Sequence, residues 1–177
     1  MGGAKERKRV ERKYLPEFVY GSMDGVITTF AVVSGVVGAA LSPAIILILG
    51  FANLAADGFS MSLSNYMSVK SQNELSRKLR KSAPRTAIAT FLSFVFMGLI
   101  PLLSFVIASV TGNSYFIRNQ FWLAVIFTGV ALLIIGWLKG IVTEKHRVKS
   151  AIQTFVLGSI AAFLAFIAGK GISILLR

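Results

Sequence analysis

Five apolar stretches, near residues 18–41, 44–67, 86–110, 120–138 and 151–175, leave this chain few ways to fold. Each meets or exceeds the roughly 17–25 residues that a helix needs to cross about 30 Å of hydrocarbon. Lipid offers the backbone no hydrogen bonds, so a spanning segment must be a helix or part of a closed barrel. These runs are too long and too continuously apolar for barrel strands. A chain of 177 residues that is 55% hydrophobic, with mean hydropathy +0.73, has more apolar surface than a water-soluble core of that size can hide. The expected fold class is therefore all-α integral membrane, with five transmembrane helices.

The net charge of +12 would suit a nucleic-acid binder, but the positions of the charges argue against one. Six Lys and Arg precede residue 17, six lie between Lys70 and Arg85, and four between Lys139 and Lys149. With five alternating spans, sixteen of the nineteen fall on one side. That is the positive-inside pattern, which puts the N-terminus in the cytoplasm and the C-terminus on the far side. No aromatic-interleaved basic module accompanies the charge, so nucleic acid is not an expected partner. The basic loops orient the protein and lie against membrane lipid. A multi-pass protein of this kind belongs in the cell membrane of a prokaryote or a vacuole-type membrane otherwise. Residues 1–16 read as a basic cytoplasmic segment, and 17–177 as a single five-helix domain. Asp24 at the front of the first apolar run, and a charge pattern that works only with all five spans, argue against a cleaved signal.

There are no cysteines, which excludes thiolate metal sites and iron–sulfur clusters. No GxxxxGK[ST], HExxH or Ser/His/Asp set is present, so neither an ATPase nor another enzyme is expected, and no resident cofactor. Leu41-Ser42-Pro43 makes a tight turn between the first two spans, with Pro43 suited to the first turn of the second helix. Pro101 is expected to kink the third.

Polar residues crowd into the first two spans. An ionisable side chain within a membrane helix is costly and by default marks an ion or proton route. Asp24 stands in the first span and Asp57 in the second; the last three contain no acid. Asn53, Asp57, Met61 and Asn65 recur at intervals of four, so successive members drift only about 40° around a helix. Counting from expected edges near Phe18 and Met67, Asp24 and Met61 both lie roughly 9 Å deep, with Asp57 one turn deeper. Carboxylates with a thioether suit a divalent transition metal of intermediate softness, such as Fe²⁺, better than Mg²⁺ or Ca²⁺. Low-dielectric burial favours a neutral carboxyl, so an empty site is expected to hold protons that an arriving metal displaces.

Blander roles exist for each residue. Met61 also reads as a gap-filler, Asn53 and Asn65 as interhelical hydrogen-bonding groups, and Glu17 as a partner of Lys13 one turn earlier, or else as a ligand at the mouth of the route. Gly21 and Gly25, with Ala52 and Ala56, give small-xxx-small faces for close helix contact within one subunit or across a dimer. Five helices are few for a self-contained pathway, and a homodimer would place two copies of each acid around one axis.

The segment Tyr20-Gly21-Ser22-Met23-Asp24-Gly25-Val26-Ile27-Thr28-Thr29-Phe30 and its continuation to Gly35 resemble the first-helix signature of the vacuolar iron transporter family. Gly50-Phe51-Ala52-Asn53-Leu54-Ala55-Ala56-Asp57-Gly58-Phe59-Ser60-Met61, continuing to Tyr66, resembles the second. The resemblance implies a homodimeric Fe²⁺/H⁺ exchanger, with its pathway between subunits, carrying ferrous ion and often Mn²⁺ out of the cytosol. It matches Asp24 to the family's first-helix metal-binding aspartate and Met61 to its second-helix methionine, with Asp57 inside the same motif. Asn53 falls where some members have an acid, and Glu17 at the pathway entrance. Many members insert a glutamate-rich cytoplasmic metal-binding domain after the second helix. Here that connection is short and basic, with Glu74 its only acid. The expected function is transport of a divalent metal ion, Fe²⁺ with Mn²⁺ possible, by proton antiport. The alternatives are a mainly Mn²⁺ transporter and a non-transporting membrane scaffold.

Overall fold

The backbone hydrogen bonds of each apolar run close on themselves, and the computed structural model is all-helical. It describes residues 2–75 and 81–176, with side chains from residue 14 onward. The helices are α1 (Gly2–Gly38), α2 (Pro43–Leu75), α3 (Ala83–Gly98), α4 (Leu103–Thr111), α5 (Ser114–Val142) and α6 (Arg147–Leu175), with a 3-10 turn at Ile100–Leu102. Tyr14–Gly38, Pro43–Leu75, Ala83–Thr111, Ser114–Val142 and Arg147–Leu175 are each long and apolar enough to cross a membrane. The chain is thus an all-α, five-span integral membrane protein.

Local chemistry sets the helix ends. α2 begins at Pro43, whose missing N–H is one that helix starts leave unbonded anyway. The Asn113 side chain accepts a 2.9 Å hydrogen bond from the Tyr115 N–H and caps α5. Ala40 ends α1 in the left-handed region (φ 57°), and the Leu41 N–H returns 3.1 Å to the Val36 carbonyl. This is the six-to-one closure of a Schellman turn, made without the usual glycine. Pro101 lies inside the 3-10 turn that separates α3 from α4, the interruption expected of a residue with no N–H to donate.

α1 is the central strut, packing most extensively on α3 and α6 and less on α2. Near the basic end, a Cβ on Gly21 would meet Ser93 Oγ, and one on Gly25 the Phe94 carbonyl oxygen. The Gly21/Gly25 face therefore serves close contact with α3 inside the chain. At the other end, Gly38 abuts the Phe166 backbone and Gly169 that of Gly35, joining α1 to α6. Two apolar cores fill the remaining space. One gathers Phe30, Val33, Ile46, Leu54, Phe94, Leu102 and Phe105; the other gathers Val19, Val26, Leu132 and Ile135.

α2 is bound on one side only. Ile46, Gly50, Leu54, Gly58 and Ser62 are buried, while Ala52, Ala56, Asp57, Ser60 and Ser64 are exposed. The second small-xxx-small pair, Ala52 and Ala56, thus faces away from the chain's own helices.

Candidate metal-binding site

The α1–α2 hairpin carries both membrane acids, and the turn fixes their levels. Asp24 lies fourteen residues from Gly38 and Asp57 fourteen from Pro43. Equal counts at about 1.5 Å per residue place them at one height. This revises the expected pairing of Asp24 with Met61. α2 does not end near Met67 but continues to Leu75, so counting from that supposed edge set the register a turn out. Met61 stands one turn from Asp57 toward the basic end.

Asp24 is partly buried and Asp57 exposed. Among the described residues neither carboxylate carries a hydrogen bond or an ion pair. Asn53, Asp57, Ser60 and Ser64 fall within about 60° on α2, so they form one open polar face. Asn53 is partly buried and its Nδ2 has no hydrogen-bond partner among the described residues. Met61 is partly buried against the larger apolar core, as its packing reading expects. Asn65 does what an interhelical amide is expected to do: its Nδ2 donates 2.7 Å to Thr90 Oγ1 on α3.

Glu17 sits seven residues before Asp24, which returns it to nearly the same face of α1 about 10 Å nearer the basic end. It is buried, at 9% exposure. Its partner is Lys81, whose Nζ donates 2.7 Å to Glu17 Oε1, while Oε2 is buried with no partner among the described residues. The side chain of Lys13, the neighbour expected to pair with Glu17, lies outside the described residues. Lys81 gave no signal in the sequence, being one lysine in a basic stretch.

Among the described residues no three His, Cys, Asp or Glu side chains converge as a metal cage within one chain. A single chain presents two carboxylates at one level, a thioether one turn away and an open flank. Cavities open elsewhere in the chain. One of about 450 Å³ between the ends of α5 and α6 is lined by Lys139, Lys145, His146 and Lys149, among others. Its three lysines make it hostile to a metal ion.

A multi-pass helical membrane protein with unpaired carboxylates on two adjacent spans is the class that fold and site define. The chain belongs to the VIT family, whose sequence profile matches residues 15–86 and 76–170. The two matched pieces meet at the α2–α3 connection. The chain is 26% identical to the vacuolar iron transporter of Plasmodium berghei (strain Anka), over 93% of its own length and 84% of that protein's. It is 29% identical to the vacuolar iron transporter of Centaurea cyanus, over 88% and 86% of the two chains. Identity to vacuolar iron transporter homolog 4 of Arabidopsis thaliana is also 29%, over 87% and 81%. The Plasmodium alignment runs over 229 positions, more than this chain contains, whereas that with homolog 4 runs over 167. The Plasmodium protein therefore carries residues that this chain lacks. These relatives are named as transporters, not as enzymes.

Proposed function

We propose that this chain is a homodimeric transporter that carries Fe²⁺, with Mn²⁺ as a second substrate, out of the cytosol in exchange for protons. The observation that carries the reading is the level pair Asp24 and Asp57, with no cation of the chain's own paired to either among the described residues. Two uncompensated acids on one hairpin are costly in lipid unless a cation visits them. Membership of a family whose named relatives are vacuolar iron transporters supports iron as the cargo. Met61 supplies a donor softer than oxygen, which suits Fe²⁺ better than Mg²⁺.

A second copy is the natural complement to the open face of α2. An aspartate left facing hydrocarbon costs about 2.5–3.5 kcal/mol on insertion scales. The small residues Ala52, Ala56, Ser60 and Ser64 let another helix approach closely. Two-fold pairing on this face would give four carboxylates and two thioethers around one axis. The positive-inside pattern supports placing the basic end, with Glu17 and Lys81, in the cytosol.

The test is uptake into proteoliposomes loaded with a ferrous chelator and a pH indicator. Fe²⁺ uptake accompanied by opposite proton movement is expected. Uptake without proton movement overturns the antiport, and Mn²⁺ outpacing Fe²⁺ makes manganese the principal cargo. No flux of any of Fe²⁺, Mn²⁺, Co²⁺ or Zn²⁺ leaves the chain as a membrane scaffold.

A further inference from the structure

Lys81 is held too carefully for a loop lysine. The Asn73 side chain of α2 donates 2.8 Å to the Lys81 carbonyl, and the next residue's N–H, that of Ser82, donates 3.2 Å to the Tyr14 hydroxyl of α1. Both flanking helices thus fix the backbone from which the ammonium reaches Glu17 Oε1. The lysine side chain remains about one-third exposed, at 34%, whereas that of Glu17 is 10% exposed. The cation therefore stands on the water side of a buried acid. Glu17 in turn shares its face of α1 with Asp24, two turns further in. Its second oxygen is buried without a partner among the described residues, so the carboxylate keeps capacity there to bind a cation.

We propose that Lys81 is a tethered competitor cation: it occupies Glu17 at the cytosolic mouth of the Asp24–Asp57 site and is displaced by the incoming divalent metal. This rests on the transport reading above and adds a determinant of affinity and selectivity to it. A doubly charged ion that engages both Glu17 oxygens can outcompete one ammonium bound to one oxygen. A monovalent ion offers no such advantage. Lys81 is a specificity-determining residue that never touches the cargo; it acts by holding a group that does.

The experiment is uptake kinetics for Fe²⁺ in Lys81→Gln, Glu17→Gln and the double variant, with equilibrium Mn²⁺ binding to each purified protein followed by electron paramagnetic resonance. Lys81→Gln is expected to lower KM about three- to tenfold, the scale of one partly exposed ion pair, and to tighten Mn²⁺ binding likewise. In the Glu17→Gln background the same substitution is expected to change neither. A mere clamp on the loop would lower thermal stability and leave KM in place. A KM within twofold of wild type, or a shift that persists without Glu17, overturns the proposal. If Lys81→Gln does not fold, Lys81→Arg decides: its guanidinium can pair with both Glu17 oxygens and is expected to raise KM, and an unchanged or lower KM counts against the idea. Wild-type vesicles without metal uptake defeat the transport reading. The competitor role then stands or falls on the Glu17-dependent tightening of Mn²⁺ binding alone.

Discussion

Asp24 and Asp57 stand level across the α1–α2 hairpin, each fourteen residues from the helix end beside the joining turn, yet one is partly buried and the other exposed. Two acids that share one ion act as a unit, so their loss is not additive. Asp24→Asn and Asp57→Asn are each expected to cut Fe²⁺ uptake by at least the roughly 10–100-fold that even outer partners of a metal site cost. The double variant should be little worse than either. Additive losses in proteoliposome flux would mean two independent roles.

Met61 separates packing from ligation. Met61→Leu keeps nearly the same volume, a swap that costs less than about 1.5 kcal/mol in a core, but it removes the sulfur. Thermal stability in detergent should barely move while KM for Fe²⁺ rises about tenfold. Mn²⁺, the harder ion, should be less affected. Equal KM for both ions in wild type and variant would reduce Met61 to a gap-filler.

The lack of cysteine makes the exposed face of α2 easy to probe. Ser60→Cys and Ser64→Cys are expected to give disulfide-linked dimers on mild oxidation. Phe163→Cys, exposed on α6, should stay monomeric on a denaturing gel. Crosslinking through α6 alone would move the interface away from the acids.

Gly25 has no room for a methyl group, since a Cβ would collide with the Phe94 carbonyl on α3. Gly25→Ala should therefore destabilise the protein by about 1–3 kcal/mol. Gly171 has nothing within 4 Å of such a Cβ, and Gly171→Ala should stabilise α6 by about 0.5–1 kcal/mol. Melting in detergent reads both, and equal shifts would contradict the packing described.

Ala40 adopts a conformation that costs a residue with a Cβ about 1–2 kcal/mol relative to glycine. Ala40→Gly should raise the melting temperature without changing metal uptake. A fall would show that the Ala40 side chain contributes more than its backbone strain costs.

The five spans were legible because lipid imposes one crude requirement, length of apolar run, and each run met it. Pro43 and Pro101 were legible because proline acts through its own backbone. The acids stood out by their cost, since only charged side chains are so expensive at that depth. Their register was not legible: α2 keeps its helix through polar residues up to Leu75, and hydropathy alone cannot see a helix leaving the membrane. Nor was the Glu17–Lys81 pair, which joins residues 64 apart in sequence and depends on how α3 lies beside α1. The close contact of Gly21 and Gly25 was visible as a motif, but only packing assigned it to α3 and left the Ala52/Ala56 face of α2 unclaimed.

The glycine contacts along α1 carry a mechanical consequence. Gly21 and Gly25 seat it backbone-to-backbone on α3, and Gly38, with Gly169 opposite, seats its other end on α6. A rod wedged at both ends neither swivels nor flexes by itself. Asp24 is therefore built into the slab formed by α1, α3 and α6, and if the chain carries metal as proposed, the stroke that turns the site from one compartment to the other falls to α2.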